Sequence, residues 1–104
     1  MYKILVIGAH DDECEYDAGG VSALLANMGN KVLFVNPACI IHNKKVDEAT
    51  VERWKKCAFE AAKPLGAEKI VVGPRDTQIF EPNYEIITEL EKIILDFKPD
   101  IVFI

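Results

Sequence analysis

Long apolar runs are missing from this sequence. The stretch Ile4-Leu5-Val6-Ile7-Gly8-Ala9 falls far short of the roughly 20 residues that a membrane-spanning helix needs. It carries no signal-peptide cleavage pattern, so no membrane span is expected and a cytoplasmic location is. Positive charge is short as well: twelve Lys plus Arg against seventeen Asp plus Glu leave a formal charge of −5. That balance removes the long-range attraction on which nucleic acid and anionic membranes rely, and no nucleic-acid partner is expected. Cysteine is limited to Cys14, Cys39 and Cys57, an odd number without C-x-x-C spacing, which argues against a secreted disulfide framework and for a reducing compartment. A glycine-rich phosphate loop is absent too. The first apolar run leads into acids rather than a G-x-G-x-x-G turn, and carboxylates there would repel a pyrophosphate.

What is present is ordinary globular composition, 50% hydrophobic and 28% charged over 104 residues, with no repeat, linker or low-complexity tract. Residues 1–104 read as a single domain. Ile4-Leu5-Val6-Ile7, Val32-Leu33-Phe34-Val35, Ile70-Val71-Val72 and Ile101-Val102-Phe103-Ile104 are short runs rich in β-branched residues, as in parallel strands buried on both faces. Between them lie three helical periods. The first puts Val21, Leu24, Leu25 and Met28 on one face and stops at Gly29-Asn30. The second runs through Val46, Thr50, Trp54, Cys57, Ala58, Ala61 and Leu65, with Asp47, Glu48 and Glu52 in its first turns and Pro64 and Gly66 at its end. The third runs through Ile86, Ile87, Leu90, Ile93, Ile94 and Phe97, between Pro82-Asn83 and Lys98-Pro99.

The order βαβαβαβ predicts an α/β fold, a three-layer Rossmann-like parallel sheet with right-handed crossovers and strand order 3-2-1-4. Helices one and two then share one face and helix three covers the other. The fourth run ends the chain with both sheet edges unpaired, so the domain reads as truncated after strand four. It calls for a missing C-terminal segment or a second copy of the chain as partner.

In open parallel sheets ligands bind beyond the carboxyl ends of the strands, where the winding changes direction. Here that point follows strand one. The segment His10-Asp11-Asp12-Glu13-Cys14-Glu15-Tyr16-Asp17 holds one His and five carboxylates within eight positions. One or two acids are explained by the N-terminus of the next helix, at about 0.3–1 kcal/mol each. Five repel one another and call for a positive partner, which a metal site supplies. His10 and Glu13, three apart, can give zinc a nitrogen and an oxygen ligand, while Asp12 between them stays available to handle a proton.

At these residues the sequence resembles the PIG-L/LmbE-like family of zinc-dependent N-acetylglucosamine-type deacetylases, whose pattern is a glycine-ended strand, then A-H-P-D-D, then G-G at the start of the first helix. Ala9-His10-Asp11-Asp12-Glu13-Cys14-Glu15 followed by Ala18-Gly19-Gly20 takes that place without gaps. The resemblance implies that His10 and Glu13 are ligands of Zn²⁺ or another divalent metal and that Asp12 is the general base. It implies a small N-acylated sugar or glycoside as substrate, with Arg53 and Asp76 reaching it. Asp11 stands where the family has proline, Glu13 where it has aspartate, and Asn36-Pro37-Ala38-Cys39 in place of a threonine- and glycine-containing turn. A one-residue slip would make Asp11 the base and Asp12 the ligand, but requires a deletion. The family's third ligand is a histidine in a segment beyond strand four, past Ile104. The other histidine here, His42, reads as a solvated loop residue, and Arg53 and Asp76 have plainer accounts as a surface ion-pair member and a turn residue.

Two further readings stand beside the hydrolase. A strand that ends in an acidic cluster also describes the Mg²⁺ pocket of receiver-like signalling modules, although Val72-Gly73-Pro74-Arg75 offers no acceptor Asp at the tip of strand three. A non-catalytic binding domain with a decayed metal site is the other. Among the aromatics, Trp54, Phe34, Phe59, Phe97 and Phe103 read as core or interface residues, and Tyr16 and Phe80 as loop residues near the carboxyl edge. Cys14, among acids, is an unconvincing nucleophile.

Overall fold

A computed structural model of the chain describes residues 1–10, 12–37, 39–41, 47–72, 74–76 and 84–104, of which 39–41 and 74–76 are described by their backbone alone. In chain order the elements are β1 (Lys3–Ile7), α1 (Glu13–Asn27), β2 (Lys31–Asn36), β3 (Cys39–Ile41), α2 (Glu48–Ala62) with a 3₁₀ turn (Lys63–Leu65), β4 (Ala67–Val71), β5 (Pro74–Asp76), α3 (Tyr84–Phe97) and β6 (Ile101–Phe103). The main sheet is parallel, in the order β4-β2-β1-β6. It is the expected 3-2-1-4 winding, with the switch point at the end of β1.

The centres of β1 and β2 are apolar at consecutive positions because alternate residues serve different layers. Ile4, Val6, Val32, Phe34 and Ala67 pack against Cys14 and Ala62 under α1 and α2. Leu5, Leu33 and Val35 face the other way, against Leu90, Ile93 and Phe97 of α3. Phe34, Ile4, Leu5 and Val35 are essentially fully buried, each stabilising the fold by about 1.5–3 kcal/mol relative to an exposed side chain.

The short strands β3 and β5 were not expected. They pair parallel, Cys39 with Pro74 and Ile41 with Asp76, at the same sequence offset that pairs Asn36 with Val71 in the main sheet. They therefore continue the β2–β4 ladder past the sheet's carboxyl edge. Pro37 sits at the break, and a residue without an N–H cannot donate to a ladder.

Helix α1 corrects the sequence reading. Leu25 packs inward as expected, but Val21, Leu24 and Met28 are exposed, and the face toward the sheet is built from Cys14, Ala18, Ser22 and Ala26. Small side chains let the helix lie close to its neighbours. A Cβ on Gly19 would meet Leu65 at 3.5 Å, and one on Gly66 would meet the Ala26 Cβ at 3.0 Å. Gly66 also has φ of 72°, the left-handed conformation that closes the 3₁₀ turn and favours glycine.

In α2 the buried face is Ala58 and Ala62, whereas the expected Cys57 and Ala61 are exposed. The helix starts where acids were expected: Asp47 caps it, accepting from the Thr50 N–H at 2.8 Å. Val46 lies outside the described residues. In α3 Ile86, Leu90, Ile93 and Phe97 turn inward, and Ile87 and Ile94 remain exposed. Lys98, with φ of 53°, ends that helix before Pro99; Pro82-Asn83 lies outside the described residues. Ile101, Val102 and Phe103 pair with β1 alone and stay about 40% exposed, because no described element covers the outer edge of β6. Phe59 is also partly exposed, at 41%. No helix among the described residues is long and apolar enough to cross a membrane.

Candidate functional site

The chain leaves β1 at Ile7 and turns into α1 within a few residues. Gly8 makes this tight passage: its N–H donates to the Val35 carbonyl at 3.1 Å. A Cβ there would lie 3.0 Å from the Glu13 Cβ and 3.1 Å from both the backbone N and Sγ of Cys14. Only a residue without a side chain lets the strand end rest against the helix start at this distance.

Asp12 is the N-cap residue of α1, yet its side chain makes no capping hydrogen bond. The first turn is closed by backbone alone, Glu13 N–H to the His10 carbonyl at 3.3 Å and Tyr16 N–H to the Asp12 carbonyl at 3.0 Å. The exposed Asp12 carboxylate is thus not used on the helix end. Glu13 instead reaches back to His10. Its Oε1 lies 2.9 Å from Nδ1 of the imidazole, and its Oε2 accepts from the His10 backbone N–H at 3.3 Å. Both side chains are partly exposed, at 29% and 38%. The imidazole hydrogen bond holds the Glu13 carboxyl below the usual glutamate range, partly opposed by burial and helped by the backbone N–H groups of His10 and Ala9. An ionised Glu13 is an acceptor only, so Nδ1 donates in this contact.

Three of the five expected site residues, His10, Asp12 and Glu13, therefore share one turn of chain beyond the carboxyl end of β1. Arg53 is exposed on α2, where its charge adds slightly to the larger effect of the Thr50 hydrogen bonds in holding the Asp47 carboxyl low. Asp76 ends β5, on the same carboxyl side of the sheet as the His10 turn, and only its backbone is described. Asp11, His42 and Phe80 lie outside the described residues. Tyr16 is a residue of α1, 89% exposed, rather than of a loop.

The acidic cluster is less uncompensated than its sequence suggests. Glu15 turns away from the others to Lys69 of β4, whose Nζ lies 2.5 Å from Glu15 Oε1 with no part of the lysine side chain exposed. Glu13 has His10. Part of the positive partner is thus the protein's own, and the described acids do not converge on one oxygen-rich pocket of the kind Mg²⁺ takes. Cys14 is buried and its thiol is pushed up, chiefly by desolvation and only secondarily by the Glu15 charge. Two participants escaped the sequence reading, Lys69 and Asn36. Asn36 was legible as a polar residue closing an apolar strand run; Lys69 gave no signal, because its partner is distant in sequence.

The His10 imidazole and the Glu13 carboxylate, side by side, are of the ligand types zinc accepts; their facing atoms, Nδ1 and Oε1, are hydrogen-bonded to each other. The described residues contain no group of three or more His, Cys, Asp or Glu able to hold a metal ion. They fit part of a zinc site, two donors of the usual three.

No family model matches the sequence, and no curated protein matches it. Solved structures do match. The 4-carboxy-2-hydroxymuconate hydratase GalB from Pseudomonas putida superposes with a TM-score of 0.81 at 22% identity, over 98% of this chain and 46% of that one. The N,N'-diacetylchitobiose deacetylase from Pyrococcus horikoshii gives 0.77 at 24% identity, over 97% of this chain and 39% of that one. A deacetylase of teicoplanin biosynthesis gives 0.74 at 17% identity, over 96% and 53%. The structural neighbours are of the PIG-L/LmbE type, and the fold that the resemblance implied is the fold observed. The chain spans about half the length of these structures.

Proposed function

We propose that this chain is part of a metal-dependent hydrolase that removes an acetyl or related acyl group from the amine of a small N-acylated sugar or glycoside in a reducing cytoplasm. One observation carries the reading: His10 and Glu13 converge, with an uncommitted Asp12 carboxylate between them, at the ligand-binding edge of a fold shared with deacetylases. His10 and Glu13 would hold Zn²⁺ or another divalent ion. When bound, zinc supplies Lewis acidity that polarises an acyl carbonyl and makes water acidic enough to attack at neutral pH. A carboxylate oxygen of Asp12 takes the proton from the attacking water and returns it to the leaving amine nitrogen, so that amide and water become carboxylate and amine. Arg53 and Asp76 would contact the sugar. The third metal ligand would come from polypeptide beyond Ile104 or from a second copy of the chain.

Metal analysis of the purified chain tests this directly. Stoichiometric zinc in the parent, lost in both His10→Ala and Glu13→Ala, is the expected result; a parent that binds no divalent metal overturns it for this chain. A second reading, a non-catalytic binding domain with an incomplete metal site, is favoured by the presence of only two donors among the described residues. Bound zinc without release of amine from N-acetylated glycosides would select it.

A further inference from the structure

We propose that Asn36 is a positioning residue for the His10–Glu13 pair, fixing the backbone of His10 so that its imidazole meets the carboxylate. For its consequence in metal binding this rests on the reading above. Asn36 ends β2, next to the end of β1, and is completely buried. Its Nδ2 donates to the Gly8 carbonyl at 2.9 Å and to the His10 carbonyl, and Cys14 Sγ lies 3.4 Å from the same nitrogen. One amide thereby ties together both ends of the turn between β1 and α1 and the helix residue against which Gly8 rests.

The orientation of the amide is set by its partners. Two carbonyl oxygens face it, and only the NH₂ end can donate to both. The other end gains nothing in exchange: Oδ1 is buried with no hydrogen-bond partner among the described residues. A buried acceptor without a partner is destabilising, and an apolar residue of similar shape would avoid it. The amide at this position therefore stabilises through its donors, and both backbone donor contacts fall on the turn that carries His10. The His10 carbonyl also accepts the Glu13 N–H. Asn36 and Glu13 thus grip the same oxygen, and moving it displaces ligand and carboxylate together.

The test compares Asn36→Asp, which keeps the shape and replaces the donor by an acceptor, with Leu33→Ala, buried on the opposite face of the same strand. NMR of the metal-free chain reads the His10 ring signals and the exchange of the Glu13 amide. Zinc affinity by chelator competition is the second readout. For Asn36→Asp we expect shifted His10 ring signals, Glu13 amide exchange faster by about tenfold or more relative to the β1–β2 amides, and zinc affinity lower by about 10–100-fold. Leu33→Ala, of similarly lowered melting temperature, should leave all three unchanged. If Asn36→Asp does not fold, Asn36→Leu, which brings no charge into the core, carries the same readouts. A folded Asn36 variant with parental ring signals and Glu13 exchange overturns the proposal, as does Leu33→Ala moving them equally. Absence of zinc in the parent would overturn the metal reading alone, since the metal-free NMR still decides the positioning role.

Discussion

Replacing Lys69 by methionine should destabilise the domain by about 3 kcal/mol, the lower end of the 3–5 kcal/mol expected for breaking a buried ion pair. Lys69 Nζ has no exposed side-chain surface and sits 2.5 Å from Glu15 Oε1. At that separation and an effective dielectric of about 20, the attraction is on the order of 7 kcal/mol before desolvation. Most of it offsets the loss of water by two ions, so the pair itself contributes little net stability. Removing the lysine alone leaves Glu15 inside without its cation. The glutamate side chain retains 18% exposure, and water relieves part of the penalty, hence the lower end of the range. With a urea slope of about 1–3 kcal/mol/M, the unfolding midpoint should fall by about 1–3 M. The double variant Lys69→Met/Glu15→Leu should recover to within about 1 kcal/mol of the parent or exceed it, because it also removes Glu15 Oε2, a buried oxygen with no hydrogen-bond partner among the described residues. Urea unfolding of parent, both single variants and the double variant, followed by circular dichroism, closes the cycle. A single variant within about 1 kcal/mol of the parent, or a double variant no more stable than Lys69→Met, refutes the argument.

Gly8→Ala should cost about 1–3 kcal/mol as an overpacking substitution, since the added Cβ would meet Glu13 and Cys14 at 3.0–3.1 Å; a melting temperature equal to the parent's would show that the turn is looser than described. Because the folded Glu13 carboxyl is held below its ordinary value, the stability it contributes is present above the unfolded value and lost as pH falls through the folded one. Urea midpoints of Glu13→Gln should therefore decline less than the parent's on acidification from about pH 6 to about pH 3, and parallel declines would contradict the hydrogen bond to His10. Site-resolved alkylation should label exposed Cys57 in the native chain and buried Cys14 only on unfolding; early labelling of Cys14 would argue against its burial between α1 and the sheet.

The strands β1 and β2 were legible because a strand buried on both faces must be apolar at consecutive positions, and Ile4–Ile7 and Val32–Val35 satisfy both layers at once; of β4 only the end, Ile70 and Val71, showed, because Glu68 and Lys69 precede it. Parallel pairing followed from the helices between them, and the order 3-2-1-4 from its being the usual doubly wound arrangement. The inward face of α1 was not legible, for a physical reason: apolar periodicity finds large side chains, and this helix approaches the sheet on Cys14, Ala18, Ser22 and Ala26. Its larger residues Val21, Leu24 and Met28 are left outside. The strands β3 and β5 were too short, and interrupted by Pro37, to show a period of two.

The site divides along the same line. His10, Asp12 and Glu13 stood out because their chemistry is concentrated within one turn of chain, and the i, i+3 spacing of His10 and Glu13 survives as a direct contact. Asn36 and Lys69 act across the sheet, and their roles exist only once β1 lies beside β2 and β2 beside β4. That difference also changes what the acidic cluster means. Its charge density argued for one external cation shared by many carboxylates, yet Glu15 is committed to Lys69 and Glu13 to His10. Among the described acids at the mouth of α1, Asp12 is the N-cap residue whose carboxylate is not spent on the cap. Glu15 and Glu13 are set apart from their neighbours by their partners, Lys69 and His10, a distinction that composition could not make and the geometry does.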